Sequence, residues 1–175
     1  LSWKMPGTKI LWSVPLSGGY ADSTTEILTV TYFSQGDVEL LAYFPNLTTV
    51  DAQSSTDYGP LGEAYTRYPD IAFRYTVPIA GENYAPDTTT VTPETLSQED
   101  IRLMEALPAL TRVDGRGCRA FPLLRQLAQL HPEWEVDYLT SIAGTEIDAG
   151  AQTLSLTGAS YAELSVGLAA MPELR

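Results

Sequence analysis

A repeat of 63 residues constrains this chain more than any single residue does. Three segments share one pattern, in which an aromatic residue is followed by a short run that ends in glycine. They are Trp12-Ser13-Val14-Pro15-Leu16-Ser17-Gly18, Tyr75-Thr76-Val77-Pro78-Ile79-Ala80-Gly81 and Tyr138-Leu139-Thr140-Ser141-Ile142-Ala143-Gly144. The leading aromatic residues give the period, since 75 − 12 and 138 − 75 both equal 63. Self-similarity of this kind is typical of solenoids, whose units stack to bury a shared core.

Each period predicts three short extended segments and two helices. The extended segments are centred near Trp12, Leu28, Val50, Tyr75, Val91, Val113, Tyr138 and Leu154. Helical spacing of apolar residues follows Val50, where Leu61, Ala64 and Tyr65 would share one face. Ser97 is predicted to be the N-cap of a further helix, because a serine hydroxyl can accept a free amide of the first turn. Residues 81–87 are short and rich in turn formers, which predicts an irregular loop.

One segment carries a family resemblance. Leu110-Thr111-Arg112-Val113-Asp114-Gly115-Arg116-Gly117-Cys118 resembles the leucine-rich repeat consensus L-x-x-L-x-L-x-x-N/C, with Cys118 in the Asn/Cys position. Residues 47–55 are a degenerate copy, and residues 153–158 resemble the strand core of another. The chain is similar in style to divergent leucine-rich repeat proteins of bacterial surfaces. That resemblance implies recognition of other molecules and an extracellular or cell-surface location.

The period and the resemblance together predict an α/β fold. We expect one leucine-rich-repeat-like solenoid domain over residues 1–175, with about eight short parallel strands backed by helices and loops. Its 63-residue super-repeat would contain three units. Because the chain begins and ends in mid-repeat, we expect a fragment of a longer protein.

A second architecture stays open at this point. Residues 73–79 and 88–92 could instead form an antiparallel hairpin across residues 81–87, which would make each period a β-α-β-β-α unit. The spacing there, 16 residues from Tyr75 to Val91, is shorter than the roughly 20–29 residues of ordinary leucine-rich units.

Composition excludes several classes of function. A formal net charge of −12 argues against nucleic acid as a partner, because phosphate binding needs clustered lysine and arginine. No run approaches the roughly 20 apolar residues that span a bilayer, so no membrane span is expected. No G-x-S-x-G elbow, glycine-rich phosphate loop or EF-hand spacing is present. We therefore expect no catalytic residue, no metal site and no cofactor.

The residues whose types are most often used in catalysis or metal binding are predicted to have structural roles here. His131 and Cys118 are the only histidine and cysteine, and they lie 13 residues apart without a supporting motif. Asp51 and Asp114 resemble a carboxylate pair, but three strand spacings of about 4.8 Å would separate them by roughly 14 Å. Glycosidase pairs lie only about 5–9.5 Å apart. We therefore predict that His131 is a partly buried residue at a helix end, that Cys118 is a small core residue and that the two aspartates are not a catalytic pair.

Strand alternation predicts which side chains point away from the core. The aromatic residues Trp12, Tyr75 and Tyr138 are predicted to point inward. The outward residues are Leu11, Thr29, Asp51, Arg74, Thr92, Asp114, Asp137 and Ser155. In leucine-rich repeat proteins the corresponding concave row is the usual binding face. The resemblance therefore implies a ligand-binding site at Asp51, Arg74, Thr92, Asp114, Asp137 and Ser155.

These expectations define a functional hypothesis and two alternatives. The chain would be a non-enzymatic recognition or scaffold module that binds a protein or glycan partner through the strand face. The first alternative is a stalk or spacer segment of a surface protein. The second is an enzyme that acts on carbohydrate or peptide, for which two convergent titratable groups in a pocket would be required.

Overall fold

The computed structural model describes residues 11–142 and 145–153. Within these ranges the chain has a mixed α/β structure, with four α-helices and short strands grouped into several small sheets. It is divided into two compact units, Leu1–Thr76 and Val77–Arg175. Each unit has its own parallel sheet, its own pair of helices and its own antiparallel strands.

The first unit begins with a hairpin and continues with a three-stranded parallel sheet. The hairpin consists of β1 (Ser13–Leu16) and β2 (Gly19–Asp22). The sheet has the order β3 (Ile27–Thr29), β4 (Thr49–Asp51) and β5 (Ala72–Arg74). Its two connections contain α1 (Gln35–Leu40), with a 3-10 turn at Leu41–Tyr43, and α2 (Tyr58–Arg67). Parallel neighbours require such crossover connections.

The second unit repeats this order of elements. It begins with the hairpin of β6 (Val77–Ile79) and β7 (Glu82–Tyr84). Its parallel sheet contains β8 (Thr90–Val91), β9 (Arg112–Asp114) and β10 (Glu135–Asp137), with β9 in the centre. The connecting helices are α3 (Gln98–Met104) and α4 (Phe121–Leu130). A further hairpin follows, formed by β11 (Leu139–Ile142) and β12 (Thr145–Asp148).

The 63-residue period is confirmed by the positions of these elements. The central strands begin at residues 49 and 112, the longer helices at 58 and 121, and the third parallel strands at 72 and 135. Each pair is 63 residues apart. The repeated structural unit is therefore a hairpin followed by a three-stranded parallel sheet with two helices.

The predicted leucine-rich-repeat-like solenoid of about eight parallel strands is wrong. Among the described residues six strands are parallel, in two sheets of three, and the other six form three antiparallel hairpins. A solenoid requires one ladder to which every coil adds a strand. The predicted strands near Tyr75 and Tyr138 correspond to β5 and β10, and each of these is the last strand of its sheet among the described residues. The predicted strand near Leu154 lies outside the described residues.

The interval between β5 and β8 explains why the ladder stops. Parallel neighbours need a crossover of about a dozen residues or more, usually helical. Residues 75–89 instead contain β6 and β7, which pair with each other around the turn residues Ala80 and Gly81. Both turn residues have positive φ, 53° and 87°, a combination that matches the twist of a tight hairpin. The prediction of an irregular loop at residues 81–87 is therefore wrong.

The alternative hairpin architecture was closer to the structure. It placed an antiparallel hairpin in this interval, but its second strand, residues 88–92, instead pairs in parallel with β9. Pro78 lies within β6, and proline is tolerated there because both strands of a two-stranded hairpin are edges.

The core of each unit lies between its parallel sheet and its helices. Val50 and Val113, the central residues of β4 and β9, are fully buried. The facing sides of α2 and α4 contribute Leu61 and Leu124, which are also fully buried. The C-cap residue of each helix, Tyr68 or His131, is followed by proline, which cannot continue a helix. The helical prediction made from Leu61, Ala64 and Tyr65 is confirmed.

A carboxylate joins each of the first two hairpins to the helix that follows it. Asp37 accepts hydrogen bonds from the Ser17 amide at 2.8 Å and from the Ser34 amide at 2.7 Å. Asp100 accepts the Ala80 amide at 2.7 Å and the Ser97 amide at 2.8 Å. These carboxylates therefore fix the hairpin turn and the helix N-terminus together. The predicted N-cap is confirmed, since the Ser97 hydroxyl accepts the Asp100 amide at 3.1 Å.

The helices are short. The longest, α2 and α4, have ten residues each. Within residues 11–142 and 145–153, no helix has the length and apolar character needed to cross a membrane.

Candidate functional site: the outer faces of the parallel sheets

Each parallel sheet has a side that the helices leave uncovered, which we call its outer face. Along each strand the central residue points to the core and its two neighbours point outward. In the first unit the outer face consists of Ile27, Thr29, Thr49, Asp51, Ala72 and Arg74. In the second unit it consists of Thr90, Thr92, Arg112, Asp114, Glu135 and Asp137. Thr49 is the most covered of these side chains, and the others are partly or fully exposed.

The predicted binding residues lie on these outer faces. Asp51 and Arg74 are direct neighbours in the register of β4 and β5. Asp114 and Asp137 are direct neighbours in the register of β9 and β10, and exposed Thr92 follows β8 immediately. The structure thus brings together two predicted residues in the first unit and three in the second. The predicted residue Ser155 lies outside the described residues.

The outer face of the second unit carries two ion pairs. Arg112 donates from Nε and Nη2 to Oδ2 of Asp137, at 3.0 and 2.5 Å. Arg116 donates from Nε to Oδ1 of Asp114 at 2.8 Å and from Nη2 to Oδ2 at 2.6 Å. The carboxylate of Glu135 lies 4.0 Å from Arg112 Nε. Five charged side chains therefore form one connected surface.

Arg116 changes the protonation of its partner Asp114. Hydrogen bonds from the Arg116 side chain lower the pKa of Asp114 to about 2, because a neighbouring guanidinium stabilises the charged carboxylate. Asp114 is consequently ionised at any physiological pH. A permanently charged carboxylate is suited to ion pairing and is a weak proton donor.

Three members of this surface were missed in the sequence. Arg112, Arg116 and Glu135 were not predicted, because only the residue between the two inward positions of each strand was considered. Strand alternation extends further in both directions, since Arg112, Asp114 and Arg116 occupy every second position. Extending the alternation by two residues from Asp114 and from Asp137 would have identified all three.

The two repeats differ on this surface while sharing the buried valine beneath it. Each residue of the second face has a counterpart 63 positions earlier. Arg112 corresponds to Thr49, Arg116 to Gln53, Glu135 to Ala72 and Asp137 to Arg74. Beneath them, buried valine is kept at both central positions, 50 and 113. The charged network is therefore a property of the second repeat and is not required by the fold.

The residues first considered for catalysis occupy structural positions. Cys118 is buried, and its Sγ accepts the Ala120 amide at 3.4 Å. Ser55, its counterpart 63 residues earlier, accepts the amide two residues on in the same way. The imidazole of His131 stacks on Trp134 with a centroid distance of 3.9 Å. No group of three or more metal-binding side chains occurs in the part of the chain that the structure describes.

The inward prediction for the aromatic residues was right for two of three. Tyr75 and Tyr138 are buried, but Trp12 is 43% exposed. Its indole Nε1 donates to the Tyr43 carbonyl at 3.2 Å, which holds the ring at the surface. The prediction that Trp12 points into the core is therefore wrong.

Replacing Arg116 by glutamine is expected to raise the pKa of Asp114 from about 2 toward its ordinary value of 3.8. The bidentate ion pair is lost, and only the main-chain amide of residue 116 and the more distant charge of Arg112 still favour the ionised carboxylate. The carboxyl carbon shift of Asp114, followed by NMR as a function of pH, measures this pKa. Arg119→Gln, at an exposed position nearby, serves as the control. An unchanged pKa in Arg116→Gln would show that the pair does not form in solution.

Comparisons with protein-family models, curated proteins and solved structures give no match for this chain. Function must then be inferred from the surface itself, because a fold alone does not define one.

Proposed function

We propose that this chain is a non-enzymatic recognition module that binds a protein or glycan partner through the outer faces of its parallel sheets. The observation that carries the proposal is the difference between the two faces. The buried positions largely coincide, with valine at both 50 and 113 and leucine at both 61 and 124, whereas Thr49, Gln53 and Ala72 are replaced by charged residues in the second repeat. A shared scaffold under a variable polar surface suits recognition, because the scaffold fixes geometry and the surface determines specificity.

The charge arrangement supports binding rather than acid–base catalysis. Catalytic carboxyl groups need a pKa near the working pH, often raised by burial. Asp114 has the opposite property, a pKa of about 2. Paired charges at a rim direct encounter and register with a partner of complementary charge. Because residues 110–118 resemble leucine-rich repeat proteins of bacterial surfaces, we propose that the chain acts at the cell surface.

The proposal is tested by capture from arrays of glycans, extracellular-matrix proteins and cell-surface proteins. The parent chain is compared with a variant that carries Asp51→Ala, Arg74→Ala, Asp114→Ala and Asp137→Ala. We expect a partner that the parent captures and the variant loses, while circular dichroism shows that both are folded. Two double variants, one for each unit, then identify the face that binds.

Two results would contradict the proposal. A partner that binds the parent and the quadruple variant equally would place recognition on another surface. Absence of any partner for the parent would favour the stalk or spacer alternative. Asp70→Ala, at an exposed position away from the outer faces, controls for the loss of negative charge alone.

A further inference from the structure

An open cleft of about 580 Å³ lies along the outer edge of the second parallel sheet. The edge strand is β10, which among the described residues pairs only with β9. Ala128, Trp134 and Val136 form an apolar part of the lining, and Glu135, Asp137 and Asp148 contribute carboxylates. The cleft therefore combines an apolar wall, an acidic rim and the edge of a sheet.

Small side chains leave room for this cleft. Its lining includes Ala128 and Val136, whose counterparts 63 residues earlier are Tyr65 and Phe73. In the first unit those two rings pack edge to face, with centroids 6.2 Å apart. The second repeat thus has two small residues where the first has an aromatic pair. Because the fold accommodates both pairs, the aromatic pair of the first repeat can be introduced into the second repeat to fill the cleft.

Among the described residues, no strand pairs with β10 on the side away from β9. The Glu135 amide donates to the Thr111 carbonyl at 2.9 Å, and the Asp137 carbonyl accepts the Gly115 amide at 2.7 Å. Both residues therefore direct their main-chain groups toward β9. Because these groups alternate along a strand, the amide and carbonyl of Val136 point the other way, into the cleft. An exposed edge of this kind is a template for strand addition.

The charges of the cleft select the chemistry of the added strand. Arg112 holds Asp137 and lies 4.0 Å from the carboxylate of Glu135, and Glu135 and Asp148 are both exposed at the rim. In the first repeat the counterparts of Glu135 and Asp137 are Ala72 and Arg74, so this acidic lining belongs to the second repeat. Lysine and arginine can lay their aliphatic stems on an apolar wall while their charged ends reach a carboxylate. Trp134 adds an aromatic surface on which a cation is stabilised.

We propose that this cleft binds an extended, lysine- or arginine-bearing segment of a protein partner, which adds to β10 as a further strand. The inference rests on the proposed function, since it names the partner chemistry of a recognition surface that shares Asp137 with the cleft. Main-chain hydrogen bonds to Val136 supply affinity. Basic side chains at alternate positions meet Glu135 and Asp148 and supply specificity.

The probe is a fluorescein-labelled hexapeptide of alternating lysine and threonine, titrated with the purified chain by fluorescence anisotropy. Two matched peptides separate the contribution of the ion pairs from that of the main-chain hydrogen bonds. One has glutamate in place of lysine, and the other has N-methylated amides at alternate residues. We expect both changes to weaken binding by at least about tenfold, because one removes the ion pairs and the other removes the main-chain hydrogen bonds. Binding of the lysine peptide should also weaken as salt is added.

Substitutions in the protein test the role of the residues that line the cleft. Ala128→Tyr with Val136→Phe introduces the aromatic pair of the first repeat, and we expect it to reduce binding by about tenfold or more. Glu135→Gln with Asp148→Asn removes the rim charges and should reduce binding to a similar extent. Glu146→Gln removes an exposed carboxylate of β12 outside the cleft lining and should leave binding unchanged. Circular dichroism establishes that each variant is folded.

Three outcomes would overturn the inference. These are no binding of the lysine peptide at millimolar concentration, equal binding of the glutamate peptide, and undiminished binding by the folded cleft-filling variant. The last would mean that the charges of β10 merely protect a sheet edge against association. If a partner is lost by the quadruple alanine variant but kept by the cleft-filling variant, the proposed function stands and this inference fails.

Discussion

Replacing Leu124 by alanine is expected to lower the free energy of unfolding by about 2–5 kcal/mol. The side chain of Leu124 is fully buried on the inner side of α4, beneath the sheet that carries the charged outer face. Truncation removes apolar surface from the core and leaves a cavity that close-packed neighbours fill only in part. Urea unfolding followed by circular dichroism measures the change as a lower midpoint at similar slope.

A control for this substitution lies on the same helix. Leu130 is 55% exposed, and Leu130→Ala should change stability by no more than about 0.5 kcal/mol. Leu61→Ala, at the equivalent buried position of the first unit, should match Leu124→Ala in size. If Leu124→Ala and Leu130→Ala had the same small effect, the assignment of the inner side of α4 would be wrong.

The success of the period in predicting α2 and α4 has a physical cause. A helix of this length is determined by apolar spacing and by the proline that ends it, and both are local properties of the sequence. The capping residue Ser97 is local in the same sense. Strand positions such as Val50 and Val113 were found because their neighbours alternate with them.

Strand pairing could not be predicted in the same way. Alternation shows which residues share a face but not which strand lies beside which. The short, turn-rich residues 81–87 indicated a loop, yet an antiparallel hairpin forms there. Pro78 does not prevent it, because a two-stranded ribbon has no central strand for proline to disrupt. The ion pair between Arg112 and Asp137 likewise depends on the lateral register of β9 and β10. That register follows from the fold and has no local sequence signal.

Replacing Asp37 by alanine is expected to lower the free energy of unfolding by about 2–4 kcal/mol. The carboxylate is buried and accepts the amides of Ser17 and Ser34, so its removal leaves two main-chain donors without their partner. Hydrogen bonds to a charged acceptor are stronger than neutral ones. The hairpin turn at Ser17 should also exchange its amide hydrogens faster. Urea unfolding and hydrogen exchange measure the two effects.

The matching position in the second unit provides an independent repetition of the test. Asp100→Ala removes the acceptor of the Ala80 and Ser97 amides and should have an effect of similar size. Asp70→Ala, at an exposed aspartate of the first unit, should change stability by no more than about 0.5 kcal/mol. Equal stability of Asp37→Ala and Asp70→Ala would show that the carboxylate does not join the hairpin to the helix.

The same carboxylates predict how stability depends on pH. Burial acts to raise the pKa of Asp37, but hydrogen bonds from Ser34 and Ser17 outweigh it, so the pKa lies below its ordinary value of 3.8. The pKa of Asp100 is lowered in the same way by Ser97 and the Ala80 amide. A group whose pKa is lower in the folded state contributes stability that is fully present above the unfolded pKa. That contribution is lost as the pH falls through 3.8 toward the folded value, so the urea midpoint of the parent should fall in acid more steeply than that of Asp37→Ala. Parallel pH profiles for the two proteins would contradict the assignment, because the variant has no carboxylate at this position to titrate.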